Sequence, residues 1–302
     1  MVYFPLRYYT NLGNWLFQYA TAISYAAVSG DNVAVWLEDK AKRRQLSEYA
    51  ELFPGLAITE RFPTDARVYN QPGFEYKPLP LKGEIDKNVI LYGFFQSDKF
   101  FDKDLVRQRL AISETRKRYL EAKYGESLHV PNVTGISVRH GKDYLSGCDM
   151  HPFVGKKYFS DAIKAIPETS SFVVCSDDIP WCREFFPRFF PKKKFVFAEG
   201  ESVIDQLYLQ SLCANNIISN SSFSWWGAWL NGNPSKKVFA PSMWFGPMAK
   251  YFGMDWKDIY PEKTIIIQNK PTLWEWVNMQ TRLYYNLSRR LYARVKDKLK
   301  VK

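Results

Sequence analysis

From about residue 130 the chain alternates short, β-branched apolar runs with amphipathic ones, and this alternation limits the possible folds more than any other feature. Residues 133–138, 171–175, 194–198, 216–219 and 237–240 read as strands. Residues 158–166, 177–185, 203–214 and 224–230, which fall between them, read as helices. Strands that alternate with helices build a parallel, doubly wound sheet, because each parallel pairing needs a crossover long enough to hold a helix. The first third carries a weaker version of the same rhythm. Residues 12–28 run from a loop into a helix with Leu16, Tyr19, Ala20, Ile23 and Ala27 at helical spacing, and Gly30-Asp31-Asn32 ends it. Residues 33–37 and 89–95 read as strands, 40–50 as a helix and 103–124 as one amphipathic helix. Residues 54–88 hold five prolines and read as irregular structure with edge strands. A length of 302 residues suits two domains, since single cores stop growing at roughly 250–300 residues.

Ligands of doubly wound sheets bind beyond the carboxyl ends of the strands, and that is where the informative polar residues cluster. Ser137-Val138-Arg139-His140-Gly141-Lys142-Asp143-Tyr144 follows the strand at 133–138. Arg139 offers a fork of donors that matches a phosphate bidentately, Lys142 adds a point charge, and Asp143 is placed to orient Arg139 or act as a base. The alternative is a surface turn with an ordinary ion pair. Cys175-Ser176-Asp177-Asp178 is either a helix cap or a carboxylate edge for the N–H groups of a base such as guanine. Residues 219–224, Ser-Asn-Ser-Ser-Phe-Ser, open a Trp-rich helix, where hydroxyls and backbone N–H groups at the positive end of the dipole favour an anion. Gly13-Asn14 fits a loop facing a phosphate as well as it fits a structural turn. Asp102-Lys103-Asp104 has the literal Asp-x-Asp pattern of a metal site, but no apolar strand runs into it, and a helix start explains it better.

The formal net charge is +11, which points to an anionic partner. Residues 280–302 hold eight basic residues against one acidic and carry +7 of it, leaving +4 for residues 1–279. Within that segment Tyr284, Tyr285, Leu287, Leu291, Tyr292, Val295 and Leu299 fall on one face about 160° wide at 100° per residue. Such a tail either lies on an anionic membrane or packs on the body with a solvated basic face. Nucleic acid is not an expected partner. Arg7 interrupts the only apolar run near the start, and no window of about 18 apolar residues occurs, so no signal peptide and no span are expected. The cysteines (Cys148, Cys175, Cys182, Cys213) match no zinc pattern, and Cys175 and Cys213 sit in core-like runs. A cytoplasmic location, peripheral at the inner membrane face, is the resulting expectation.

Taken together, these blocks resemble the α-1,2-fucosyltransferases of glycosyltransferase family 11. Gly13 to Ala20 is similar to that family's Gly-Asn-Gln-Met-Phe-Gln-Tyr-Ala block, Gly93 to Ser97 to a Gly-Tyr-Phe-Gln-Ser block, and Ser137 to Tyr144 to a His-x-Arg-Arg-Gly-Asp-Tyr block. Ser176 to Cys182 is similar to Ser-Asp-Asp-x-x-Trp-Cys, and Asn220 to Leu230 matches Asn-Ser-Ser-Phe-Ser-Trp-Trp-Gly-Ala-Trp-Leu in full. The resemblance implies a GT-B fold, two Rossmann-like α/β domains facing across a cleft, with an acceptor domain over 1–128, a GDP-fucose domain over 129–268 and a basic amphipathic helical tail over 269–302. It implies inverting transfer of L-fucose from GDP-β-L-fucose to a galactose hydroxyl of a glycan, with no cofactor and no metal. By position, Arg139 and Asp143 would be catalytic, with Asp149 and His151 as further candidate bases. Gly13, Asn14, Arg139, His140, Lys142, Asp177, Asp178, Asn220, Ser221, Ser222 and Ser224 would bind the donor. The chain departs from the blocks at Trp15, Ser137, His140 and Lys142. Another fucose linkage or sugar nucleotide, or a non-catalytic carbohydrate-binding protein, are the alternatives.

Overall fold

The computed structural model describes residues 1–80, 88–141, 149–251 and 253–300. Lys142, Asp143 and Cys148 lie outside the described residues. The first unit contains β1 (Val2–Leu6), α1 (Leu12–Ser29), β2 (Val33–Leu37), α2 (Lys42–Glu48), β3 (Ala57–Thr59), β4 (Arg67–Asn70) and β5 (Val89–Tyr92). Its five strands are all parallel, in the order β3-β2-β1-β5-β4. β1 is the central strand, with Val2 in register with Val33 on one side and Val89 on the other. The sequence reading missed it, because Pro5 stands in its middle and proline is a sign of edges. Burial of Val2, Phe4 and Leu6 outweighs the single ladder donor that Pro5 lacks.

The helix expected over 103–124 is two helices, α3 (Lys103–Arg109) and α4 (Glu114–Leu128). Each has its own cap: Asp102 accepts from the N–H groups of Asp104 and Leu105 at 2.9 Å, and the Ser113 hydroxyl accepts from Arg116 N–H at 3.4 Å. Asp102 of the Asp-x-Asp pattern is therefore a helix cap.

The second unit contains β6 (Thr134–Val138), α5 (Lys156–Lys164), β7 (Ser171–Ser176), α6 (Ile179–Phe189), β8 (Lys194–Phe197), α7 (Val203–Ser211), β9 (Asn215–Ile217), α8 (Ser222–Leu230), β10 (Val238–Pro241), α9 (Pro247–Tyr251) and β11 (Ile265–Ile267). Its six parallel strands lie in the order β11-β10-β9-β6-β7-β8. The chain enters at the sheet's middle, winds out through β7 and β8, then returns to the other side of β6. This doubly wound order puts the switch point between β6 and β9. Two Rossmann-like parallel sheets make the expected GT-B architecture.

One continuous apolar core joins the two units. Its keystone is the contact of α1 with α8, where the Phe17 ring lies 4.5 Å from Trp225 and 4.9 Å from Trp226, and Phe101 stacks on Trp226 at 5.6 Å. Polar ties reinforce the junction. Asp258 accepts from the Tyr76 N–H at 2.8 Å and pairs with Lys99 at 2.6 Å. Cys175, Cys182 and Cys213 are free and buried, as the core assignment of Cys175 and Cys213 expects. Burial pushes the Cys182 and Cys213 thiols up to about 12, so neither is a thiolate near neutral pH.

The chain ends in α10 (Leu273–Lys300). Met279 and Leu283 of this helix are buried against the body, whereas Tyr284, Tyr285, Leu291 and Tyr292 are exposed. The helix docks by a different face from the one the sequence marks as apolar. Among the described residues, no helix is long and apolar enough to cross a membrane.

Candidate active site

The carboxyl ends of β6, β7 and β9 meet beside the switch point, and three of the sequence blocks converge there. Arg139 follows β6 and ion-pairs with Asp177, which follows β7. Asp177 also accepts from the backbone N–H groups of His140 (2.8 Å) and Gly141 (2.9 Å), so its carboxylate folds the loop that carries the arginine. Asp178 caps α6 by accepting from Trp181 N–H at 3.2 Å and shares a 2.8 Å hydrogen bond with His140 Nδ1. That histidine bond holds the Asp178 carboxyl below its ordinary pKa. The His140 ring stacks on Trp181 at 4.1 Å, which fixes its direction.

On the other side of the switch point, Ser219 ties the two strand ends together. Its hydroxyl donates to the Ser137 carbonyl at 2.7 Å and accepts from Arg139 N–H at 3.2 Å. Ser221 is the N-cap of α8, yet its side chain makes no cap hydrogen bond. That end of the dipole also has no acidic residue in its first turn. Ser221 and Ser222 are half-buried beside it. A helix start without an acidic residue and a guanidinium are both groups of a kind that attracts anions.

Gly13 and Asn14 reach this place from the first unit. A Cβ on Gly13 would lie 2.4 Å from Phe223 N and 2.5 Å from Ser222 Oγ, so the starts of α1 and α8 touch, and only glycine fits between them. Trp226 Nε1 donates to the Gly13 carbonyl at 3.1 Å. Asn14 Oδ1 accepts from Gln96 Nε2 at 2.6 Å.

Two of the expected donor contacts have structural duties in this arrangement. Asn220 is 2% exposed, and its amide donates to the carbonyls of Pro152 and Trp244 at 3.0 Å each. Ser224 is buried and hydrogen-bonds Ser137 at 2.7 Å. Asp149 is buried as well, and its Oδ2 accepts from Asn286 of α10 at 2.9 Å, which pins the C-terminal helix beside the site. Ser219 belongs to the 219–224 run that the sequence singles out, but sequence reasoning gave no role to Gln96 or to the Trp181 platform, although both lie in blocks it matched. No cluster of His, Cys, Asp or Glu suited to a metal occurs among the described residues.

The profile of glycosyl transferase family 11 matches residues 81–259, which covers the whole of this site except Gly13 and Asn14. The chain belongs to glycosyltransferase family 11. An α-1,2-colitosyltransferase of Escherichia coli is 29% identical over 203 residues, covering 64% of this chain and 70% of that protein. The O-antigen biosynthesis glycosyltransferase WbnK of Escherichia coli is 30% identical over 183 residues, covering 54% of this chain and 58% of WbnK. Among solved structures, POFUT1 in complex with GDP-fucose superposes with a TM-score of 0.45 at 11% identity, over 78% of this chain and 96% of that one. The NodZ α-1,6-fucosyltransferase co-crystallised with GDP gives 0.48 at 16% identity, over 74% and 91%.

Proposed function

We propose that this glycosyltransferase is an inverting α-1,2-fucosyltransferase that moves L-fucose from GDP-β-L-fucose to a galactose hydroxyl of an acceptor glycan. The observation that carries this reading is the convergence at the β6–β9 switch point of Arg139, ion-paired with Asp177, and the Ser219–Ser224 run, whose Ser219 hydroxyl accepts from the Arg139 N–H. In the reaction, the acceptor oxygen bonds to the fucose anomeric carbon as the bond from that carbon to the GDP oxygen breaks. The released electron pair collects on the β-phosphate, where Arg139 and the α8 N–H groups stabilise it. The acceptor's proton goes to a carboxylate, Asp143 by sequence position. Lys142 adds charge to the same loop, and Gly13 and Asn14 close on the donor from the first unit, while Asp177 holds the arginine loop and Asp178 the start of α6. No metal is required in this scheme.

The test incubates the full chain with GDP-fucose and lactose, with the product linkage read by NMR. An α-1,2 product formed in EDTA supports the scheme. Failure of the protein to bind GDP, or activity lost in EDTA and restored by Mn²⁺, refutes it. The colitosyltransferase relative favours a second donor reading, in which the colitosyl nucleotide replaces GDP-fucose in the same site. Turnover with the two donors compared side by side separates the readings.

The partners proposed beside the donor and the acceptor glycan include an anionic membrane surface, reached through α10 from the cytoplasmic side. Leu273, Trp274, Trp276, Val277, Tyr284, Tyr285, Leu291 and Tyr292 are all exposed on this helix, within a basic C-terminal segment. Exposed Trp and Tyr beside Lys and Arg suit the headgroup layer. Sedimentation with phosphatidylglycerol vesicles, lost on deleting residues 280–302, is the expected result, and unchanged binding by the deletion refutes it.

A further inference from the structure

The first sheet has a switch point of its own. β1 and β5 are neighbours in space, yet the chain leaves β1 toward β2 on one side and enters β5 from β4 on the other. Crevices beyond the carboxyl ends of strands at such a point are where open α/β sheets bind ligands. β1 runs into a turn closed by the Thr10 N–H to the Arg7 carbonyl at 3.0 Å, with Tyr8 and Tyr9 at its tip. These tyrosines are 77% and 48% exposed, and their rings meet edge to face at 4.9 Å. β5 runs into Gly93, Phe94, Phe95 and Gln96.

The turn is held from below by a buried cation. Arg7 is 4% exposed and lies among the rings of Tyr9, Tyr92 and Phe94, with its guanidinium carbon 4.7–4.8 Å from each centroid. Its Nη2 donates to the Gly93 carbonyl at 3.2 Å, which links the two strand ends. Glu38, directly after β2, is exposed and accepts from the Tyr92 hydroxyl at 3.2 Å. Gln96 is buried and donates to Asn14, but its Oε1 has no hydrogen-bond partner among the described residues. Arg7 Nε is likewise buried without one.

We propose that the crevice beside the Tyr8–Tyr9 turn, with Glu38 at its edge, is the acceptor subsite and takes a neutral sugar ring. The assignment rests on the transferase reading above. The apolar C–H face of a pyranose is weakly electropositive and complements the negative face of a tyrosine ring. The Glu38 carboxylate accepts hydrogen bonds and so favours hydroxyl donors. An anionic ligand would instead meet the charge of Glu38. The crevice also connects to the donor site. Three residues past Thr10, Gly13 touches Ser222, and an aromatic wall runs from Phe94 through Phe74 (5.3 Å) and Phe245 (5.0 Å) to His151 (5.6 Å).

The experiment is saturation-transfer NMR of lactose with the full chain, beside GDP affinity by calorimetry and the acceptor KM. Tyr8→Ser and Glu38→Leu change exposed side chains, and Tyr9→Ser tests the ring that also packs on Arg7. Each is expected to weaken the lactose signals and raise the acceptor KM roughly three- to tenfold, the loss of one aromatic contact, while GDP affinity stays unchanged. Wild-type signals and KM in Tyr8→Ser and Glu38→Leu overturn the subsite, and so does a wild-type protein that transfers no saturation to lactose. A wild-type protein that binds lactose but not GDP refutes the donor reading alone.

Discussion

Gly13→Ala puts the junction of the two units to the most direct test. Gly13 lies in the first turn of α1 with helical backbone, so alanine on its own is favoured there by up to about 1 kcal/mol. The neighbouring helix reverses the sign. The new Cβ would stand 2.4 Å from Phe223 N, 2.5 Å from Ser222 Oγ and 2.6 Å from Ser222 C, where ordinary contact begins at 3.4 Å. Two of these three atoms are backbone, so no rotamer change relieves them, and the starts of α1 and α8 must part by about 1 Å. Overpacking of this kind costs about 1–3 kcal/mol. A 302-residue chain unfolds with an entropy of about 0.6 kcal/mol/K, so the expected fall in Tm is about 2–5 °C. Turnover should fall further than stability, since a displacement of about 1 Å at a reacting centre costs roughly 10²-fold. Differential scanning calorimetry and donor turnover on one preparation measure both. A variant as stable and as active as the wild type would refute the close approach and, with it, the role of Gly13 in joining the donor site to the first unit.

Arg139→Ala should lower turnover by about 10²–10³-fold, the cost of one donor to developing charge, while Tm moves little because the ion pair with Asp177 is partly exposed. Unchanged turnover would remove Arg139 from the phosphate site. Trp226→Ala should cost about 3–5 kcal/mol in denaturant unfolding, since the ring is fully buried between Phe17 and Phe101, and a loss below about 1 kcal/mol would show that the shared core does not join the units. Lys236 donates to the carbonyls of Ala228 (2.7 Å) and Asn231 (2.6 Å) at the end of α8, and burial pushes its ammonium down to about 8 from 10.5. The unfolded chain then holds that proton more tightly, so stability from this group rises with pH between about 8 and 10.5. Melting curves over pH 7.5–10 should show the wild type gaining on Lys236→Met as pH rises, and a constant gap contradicts the buried ammonium.

The second sheet was legible in the sequence because its strands are short apolar runs, each followed by a helix with its own start signal. β1 was hidden by Pro5, and with it the significance of Arg7, Tyr8 and Tyr9, which matter only once a strand is seen to end at Leu6. For the site, sequence gave the location and residue types but not the partners. Hydroxyls and amides in the 219–224 run look equivalent in sequence. In the structure Ser219 and Ser224 bond to the β6 strand end, and Asn220 clamps two loops, whereas the Ser221 side chain makes no cap bond at the start of α8. The same limit applies to Asp177 and Asp178: adjacency identifies them, but only the fold shows that one shapes the arginine loop and the other caps a helix.

The departures from the family blocks follow from these partners. Trp15, where the block has Gln, is fully buried, and its Nε1 donates to Thr10 Oγ1 at 3.0 Å, the hydroxyl that also accepts from Arg7 N–H at 3.2 Å. The substitution therefore supports the Tyr8–Tyr9 turn and bears on the acceptor side. Ser137, where the block has His, is buried and hydrogen-bonds Ser224 at 2.7 Å. His140, where the block has a second Arg, stacks on Trp181 and bonds Asp178, so it is directed away from the Arg139–Asp177 pair. Trp15, Ser137 and His140 are each matched to a neighbour, and none of the three removes the Arg139 guanidinium.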